Sequence, residues 1–131
     1  MHIEVARDVV DLIRTQARAA GPRECCGILL GEGGRIALAL ATPNVHVHPE
    51  THFEIDPQSL IDAYRAEREG GPRVVGYYHS HPTGKAEPSE TDQAMAAGDG
   101  RIWVIVAGEE LRFWRDAGDG FVELSYEVVE G

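Results

Sequence analysis

The chain has 131 residues, long enough to bury one core and too short for two, so a single domain over residues 1–131 is expected. Twenty-two Asp and Glu against twelve Lys and Arg give a formal charge of −10, which repels phosphate backbones and anionic headgroups and argues against nucleic-acid and membrane partners. The first residues form no basic and apolar leader, and the longest apolar runs, 36–41 and 102–107, fall far short of a membrane span, so a cytoplasmic protein is expected.

In residues 6–20, Val9, Leu12, Ile13 and Ala17, with Val5 just before, recur mostly three and four apart, the period of an amphipathic helix that Gly21-Pro22 ends. Cys25 and Cys26 are adjacent with no distant cysteine to pair with; neighbours on a strand face opposite ways, so both read as reduced, buried small hydrophobes. Residues 25–31 and 36–41 are apolar runs around Gly33-Gly34, a hairpin pattern. Residues 42–52 form a polar loop, and 53–55 a brief extended piece. Asp56-Pro57 caps and opens a second helix with Leu60, Ile61 and Tyr64 as its stripe and Gly70-Gly71-Pro72 as its stop. Residues 73–80 read as a buried strand, with Val75, Tyr77, His79 and, if the extension holds, His81 on one face. After a loop over 82–88, Ser89 at the N-cap and Asp92 at N3 resemble a capping box opening a third helix. Strands over 102–107, 111–115 and 121–128, with turns at Gly108 and Gly118 to Gly120, complete the chain, and no repeat or linker divides it.

The chemistry concentrates in Tyr78-His79-Ser80-His81-Pro82 and Pro88-Ser89-Glu90-Thr91-Asp92. A catalytic zinc takes three protein ligands and keeps a fourth position for water. His79 and His81 offer two imidazoles from a strand end, and Asp92 a carboxylate from the first turn of a helix. Bound there, water becomes a usable nucleophile near neutral pH and a substrate carbonyl is polarised.

Each residue taken singly has a plainer reading: a His-x-His pair at a polar strand edge, Asp92 as a helix-start acid, Ser89 as a cap. Their combination just after a buried strand reverses that balance. The chain also carries an internal control. His46-Val47-His48-Pro49 repeats His-x-His-Pro and His52 follows, but eleven residues beyond His48 stands Ser59, where Asp92 stands eleven beyond His81. No buried strand precedes that second pattern, so His46, His48 and His52 are expected to line a cleft or face solvent, with adventitious metal binding as the lesser reading.

His79-Ser80-His81-Pro82, ten intervening residues, and Pro88-Ser89-x-x-Asp92 resemble the signature of the JAMM (MPN+) metalloproteases. The segment from Arg23-Glu24-Cys25-Cys26-Gly27 to Gly31 resembles that family's upstream Glu-x-Cys-Gly-x-Leu-x-Gly, with Glu24 at the matching position. Asn44, Phe53 and Asp56-Pro57 also fall where compact bacterial members carry them, so the likeness covers roughly residues 3–107.

The resemblance implies an α/β (α+β) fold of the cytidine-deaminase-like JAB/MPN kind, a curved, mainly antiparallel sheet flanked by helices. It implies zinc on His79, His81 and Asp92, Glu24 carrying a proton from the metal-bound water to the leaving amine, and Ser89 supporting the oxyanion. Apart from the resemblance, the residue pattern does not distinguish Glu24 from Glu50, Glu54 or Glu87 as the base. Ser80 points away from the histidines and receives a packing role.

The function implied is zinc-dependent peptidase or isopeptidase action after the glycine tail of a ubiquitin-like sulfur carrier. The alternative is a non-catalytic MPN-type module that binds such a partner without turnover. A DNA-repair-associated branch sharing the motif fits poorly with the acidic charge. A cysteine nucleophile at Cys25 or Cys26 would need a base such as His79, already committed to metal. The similarly folded deaminases use His-x-Glu with Pro-Cys-x-x-Cys, and the latter is absent.

Overall fold

The apolar runs become strands that close on themselves. In the structure, a computed structural model describing residues 1–130, the order is β1 (His2–Ala6), α1 (Arg7–Ala20), β2 (Cys26–Glu32), β3 (Arg35–Thr42), α2 (Pro57–Arg68), β4 (Arg73–Ser80), α3 (Glu90–Met95), β5 (Ile102–Ala107), β6 (Glu110–Asp116) and β7 (Phe121–Val129). The strands form a closed barrel in the order β1-β3-β2-β4-β5-β6-β7, with β7 returning to β1. Four pairings are antiparallel, β2 with β3 and β4, and β6 with β5 and β7. The other three, β1 with β3 and β7, and β4 with β5, are parallel.

The expected curved, mainly antiparallel sheet is thus present and goes further, into closure. The closing strand is the element the sequence pattern did not separate. Ala6 ends β1 and caps α1 instead of opening the helix. Residues 2–6 are too few for a strand pattern, and their extended form is fixed by partners far along the chain, Ile3 against Tyr126 and Val5 against both Val128 and Ile36.

Two apolar clusters hold the barrel. One unites Val9, Val10 and Ile13 of α1 with Ile3, Val5, Leu29, Tyr78, Val104 and Phe113. The other unites Ala63, Leu60 and Tyr64 of α2 with Phe53, Ile55, Cys26, Ile28, Val74 and Trp103. Cys25, directly before β2, belongs to the first and Cys26 to the second, both as buried thiols. Gly27 has no room for a side chain: a Cβ there would stand 2.2 Å from the ring of Tyr78, its partner across β2 and β4.

The register of β4 corrects one expectation. Leu29 opposes Gly76 while Leu30 opposes Val74, so Val75 is an extra residue on β4, a β-bulge that reverses the alternation. Val74, not Val75, therefore shares the cluster that Tyr77 packs against, and Val75 packs against the other. The bulge lies upstream of the histidines and leaves their common side intact. Among the described residues no helix is long and apolar enough to cross a membrane.

Candidate metal centre

His79 lies one residue from the end of β4, between Cys26 of β2 and Ile105 of β5, and is 1% exposed. Phe53 stacks on its ring at 4.3 Å between centroids and Trp103 meets it edge-on at 5.6 Å, so the imidazole is held on two sides by the α2-side cluster. His81 continues the strand direction, its N–H donating to the Val106 carbonyl at 2.8 Å. Its ring Nδ1 lies 2.7 Å from the Lys85 carbonyl oxygen. A carbonyl only accepts, so Nδ1 carries the hydrogen, and in the neutral ring Nε2 presents its lone pair.

Asp92 arrives from the other direction. Ser89 Oγ accepts from the Asp92 N–H at 3.0 Å and Asp92 Oδ2 accepts from the Ser89 N–H at 3.0 Å, the reciprocal capping box expected from the sequence. This box opens α3 and fixes the Asp92 carboxylate against the strand end. His79 Nε2 is 3.0 Å from Asp92 Oδ1, His81 Nε2 is 3.1 Å from Asp92 Oδ2, and the two Nε2 atoms are 3.1 Å apart.

This triangle fits a metal. Tetrahedral ligands at about 2.0–2.1 Å from zinc stand about 3.3 Å apart, close to the separations found. A bare Nε2 lone pair facing a carboxylate oxygen requires a cation between them, either a proton or a metal. The hydrogen bond from His81 to a backbone carbonyl is the outer support that orients metal-ligating imidazoles. Among the described residues, His79, His81 and Asp92 form the group of three whose donor atoms lie close enough to hold an ion.

Protonation follows the same geometry. Burial pushes the His79 pKa down, countered only in part by Asp92, so its ring is neutral and able to ligate. Burial also acts against charge on His81 and on Asp92, but there the bonds between them prevail. The His81 pKa is raised by Asp92 and the Lys85 carbonyl, and the Asp92 carboxyl is held well below the usual carboxylate range by both histidines and the Ser89 N–H.

Glu24 stands on the segment between α1 and β2 and is 7% exposed. Three clasps hold it. Its N–H donates to the Pro49 carbonyl at 2.7 Å, its carbonyl accepts from Asn44 Nδ2 at 2.9 Å, and the next residue, Cys25, donates its N–H to Ser80 Oγ at 2.8 Å. Asn44 Nδ2 also reaches the His52 carbonyl at 3.0 Å, while its Oδ1 accepts from the N–H groups of His46 and Glu54, so one side chain pins the 44–54 loop to Glu24. Burial pushes the Glu24 pKa up to about 7, with His81 pulling it down and Asp92 pushing it up. A carboxyl poised there can both take and give a proton near neutrality. Glu50, Glu54 and Glu87, which the pattern left as rivals, are exposed.

Ser89 is exposed at the start of α3, and its oxygen already accepts from Asp92, which leaves its hydroxyl hydrogen free to donate. Ser80 does more than pack, since its hydroxyl ties the end of β4 to the Glu24 segment. Lys85 and Trp103 were not singled out in the sequence. Lys85 acts through its backbone carbonyl, which any residue supplies, and Trp103 sits in a uniformly apolar run. A cavity of about 620 Å³ opens beside Glu24, bordered by Gln16, Ala20, Arg23, Asn44 and Pro49. Another of about 310 Å³, walled by Leu60, Tyr77 and Met95, also has Phe53 and Trp103, the two rings that pack on His79, in its lining.

The second His-x-His-Pro stretch builds no such triangle. His46 stacks on His52 at 4.6 Å, and His48 stands 6.0 and 6.3 Å from them. His46 Nδ1 accepts from the His48 N–H at 2.9 Å and His52 Nδ1 bonds the Thr51 hydroxyl at 2.7 Å, so those nitrogens serve the loop's own fold.

Comparison with known proteins finds similar chains and a matching fold. The chain is 35% identical over 133 aligned positions to the desampylase of Haloferax volcanii, covering 96% of each chain. It is 29% identical over 133 positions to the CysO-cysteine peptidase of Mycobacterium tuberculosis, covering 96% of this chain and 90% of that one. A JAB1/MPN domain protein from Archaeoglobus fulgidus shares the fold, with a TM-score of 0.67 at 22% identity over 98% of this chain and all of that one. The model of prokaryotic homologs of the JAB domain matches residues 6–117, and the chain belongs to that family.

Proposed function

We propose that this chain is a cytoplasmic zinc-dependent peptidase or isopeptidase that hydrolyses the amide bond following the glycine tail of a ubiquitin-like sulfur carrier. The observation that carries the reading is the convergence of His79 Nε2, His81 Nε2 and the Asp92 carboxylate at 3.0–3.1 Å beside a buried glutamate. Zinc held by those three residues would supply Lewis-acid chemistry, activating water and polarising the substrate carbonyl.

The chain's own residues supply the rest. Glu24, poised by burial, accepts the proton of the attacking water and delivers it to the nitrogen of the departing amine. Ser89 donates its free hydroxyl hydrogen to the oxygen on which negative charge develops. His79 is kept neutral by burial, and His81 is oriented by Lys85, so neither ring turns away from the shared point. Phe53 and Trp103 keep water from one flank of His79. The names of the relatives, a desampylase and a CysO-cysteine peptidase, support conjugate cleavage as the reaction. The cavity beside Glu24 gives a substrate segment room next to the proton carrier.

The test is to incubate the zinc-loaded protein with a ubiquitin-like carrier bearing a C-terminal extension and follow release by mass spectrometry. The reading expects cleavage after the terminal glycine, abolished by chelation and by Glu24→Ala. Cleavage that survives both treatments contradicts it.

A further inference from the structure

At the opposite end of β4 from the histidines, three arginines line one cavity of about 290 Å³. Arg73 opens β4, Arg101 directly precedes β5, and Arg115 lies one residue from the end of β6. Glu67 is the acid in that lining, and one of its oxygens is already used by the Val74 N–H at 2.9 Å.

The three guanidinium groups are poorly compensated. Among the described residues neither Arg73 nor Arg115 has an ion-pair partner. Arg101 contacts Asp99 through Nη1 at 3.4 Å and lies over the Tyr64 ring at 5.4 Å, while its buried Nε has no hydrogen-bond partner. A buried unpaired donor on a charged group is costly, and like charges gathered around one cavity repel. In a chain of net charge −10, a quarter of the twelve Lys and Arg residues meet here, which a solvated acidic surface does not require.

We propose that Arg73, Arg101 and Arg115 form a binding site for a phosphate-sized oxyanion, free or carried on a small molecule, separate from the metal centre. Guanidinium forks match the paired oxygens of such anions, and all three arginines line this cavity. The cavity has room for the ion and for a modest group attached to it. Arg73 and His79 stand six residue steps apart along β4, about 20 Å at about 3.3 Å per step, so the site leaves the metal centre open. This proposal does not rest on the peptidase reading.

The experiment is titration of the zinc-loaded protein with inorganic phosphate and, in a parallel arm, with adenosine monophosphate, each against sodium chloride at matched ionic strength. The readouts are the arginine Nε–H resonances in a proton–nitrogen correlation spectrum and the melting temperature. Saturable movement of the Arg101 Nε–H peak and a rise in melting temperature are expected, with affinity weakened at least tenfold in R73Q and in R115Q. Tighter binding of adenosine monophosphate than of phosphate assigns the oxyanion to a carried group, and the reverse assigns it to the free ion. R73Q alters an exposed strand-end residue and R115Q a partly exposed one, and both are expected to keep peptidase activity. Movement matched by chloride, or affinity unchanged in both variants, overturns the proposal.

Discussion

The chain contains His-x-His-Pro twice, and the two copies have different fates. His79 and His81 lie at the end of a buried strand, where alternation sends both rings the same way and a capped helix brings a carboxylate against them. His46 and His48 lie in a loop, where the His46 ring stacks on His52 and the Nδ1 atoms of His46 and His52 bond a nearby backbone N–H and hydroxyl. The motif supplies donor types. The scaffold decides whether the donor atoms converge.

The largest effect expected from breaking this contrast is at Asp92. Asn in its place keeps the size and can still cap α3, but removes the charge that faces both imidazoles. Asp92→Asn should lose bound zinc and lose peptide cleavage to below detection, with far-ultraviolet circular dichroism unchanged. Glu24→Gln should retain zinc and lower kcat by about 10²–10⁴, the usual contribution of a general base, as measured by steady-state kinetics. Ser89→Ala should lower kcat by about 10²–10³ through the lost donor and also cost about 1 kcal/mol of stability through the lost cap. Chemical denaturation separates the two effects.

A smaller effect concerns pH. In the folded metal-free protein the Glu24 carboxyl titrates at about 7 rather than at its ordinary 4.5, so the folded state binds this proton more tightly than the unfolded chain. Stability from this group is therefore present below the ordinary value and is lost as pH rises toward 7. Asp92 acts oppositely: its depressed pKa contributes stability above the ordinary carboxylate range that fades as pH falls below it. Denaturation of the apoprotein between pH 5 and 7.5 should show a downward slope that Glu24→Gln flattens.

Much of the site was legible because it rests on local rules. Strand alternation placed the histidines together, and the spacing of Ser89 and Asp92 announced the capping box. Glu24 was not legible from its own surroundings, since an acid ahead of an apolar strand is ordinarily solvated. Its burial depends on Asn44, Pro49 and Ser80, which reach it from other parts of the chain. The resemblance singles it out as a candidate where the local pattern does not. The same division holds for the fold. Helices α1 and α2 announced themselves by spacing and stops, whereas β1 exists because β3 and β7 receive it, and the bulge at Val75 is a property of the pairing with β2. Long-range partners are what a single sequence leaves unwritten.

The most direct test of the contrast is zinc content per chain, measured by inductively coupled plasma mass spectrometry after purification without chelator. About one zinc is expected in the parent chain and in the triple variant His46→Ala, His48→Ala and His52→Ala, and close to none in His81→Ala. Zinc that persists in His81→Ala but disappears from the triple variant would place the metal on the loop and contradict the account.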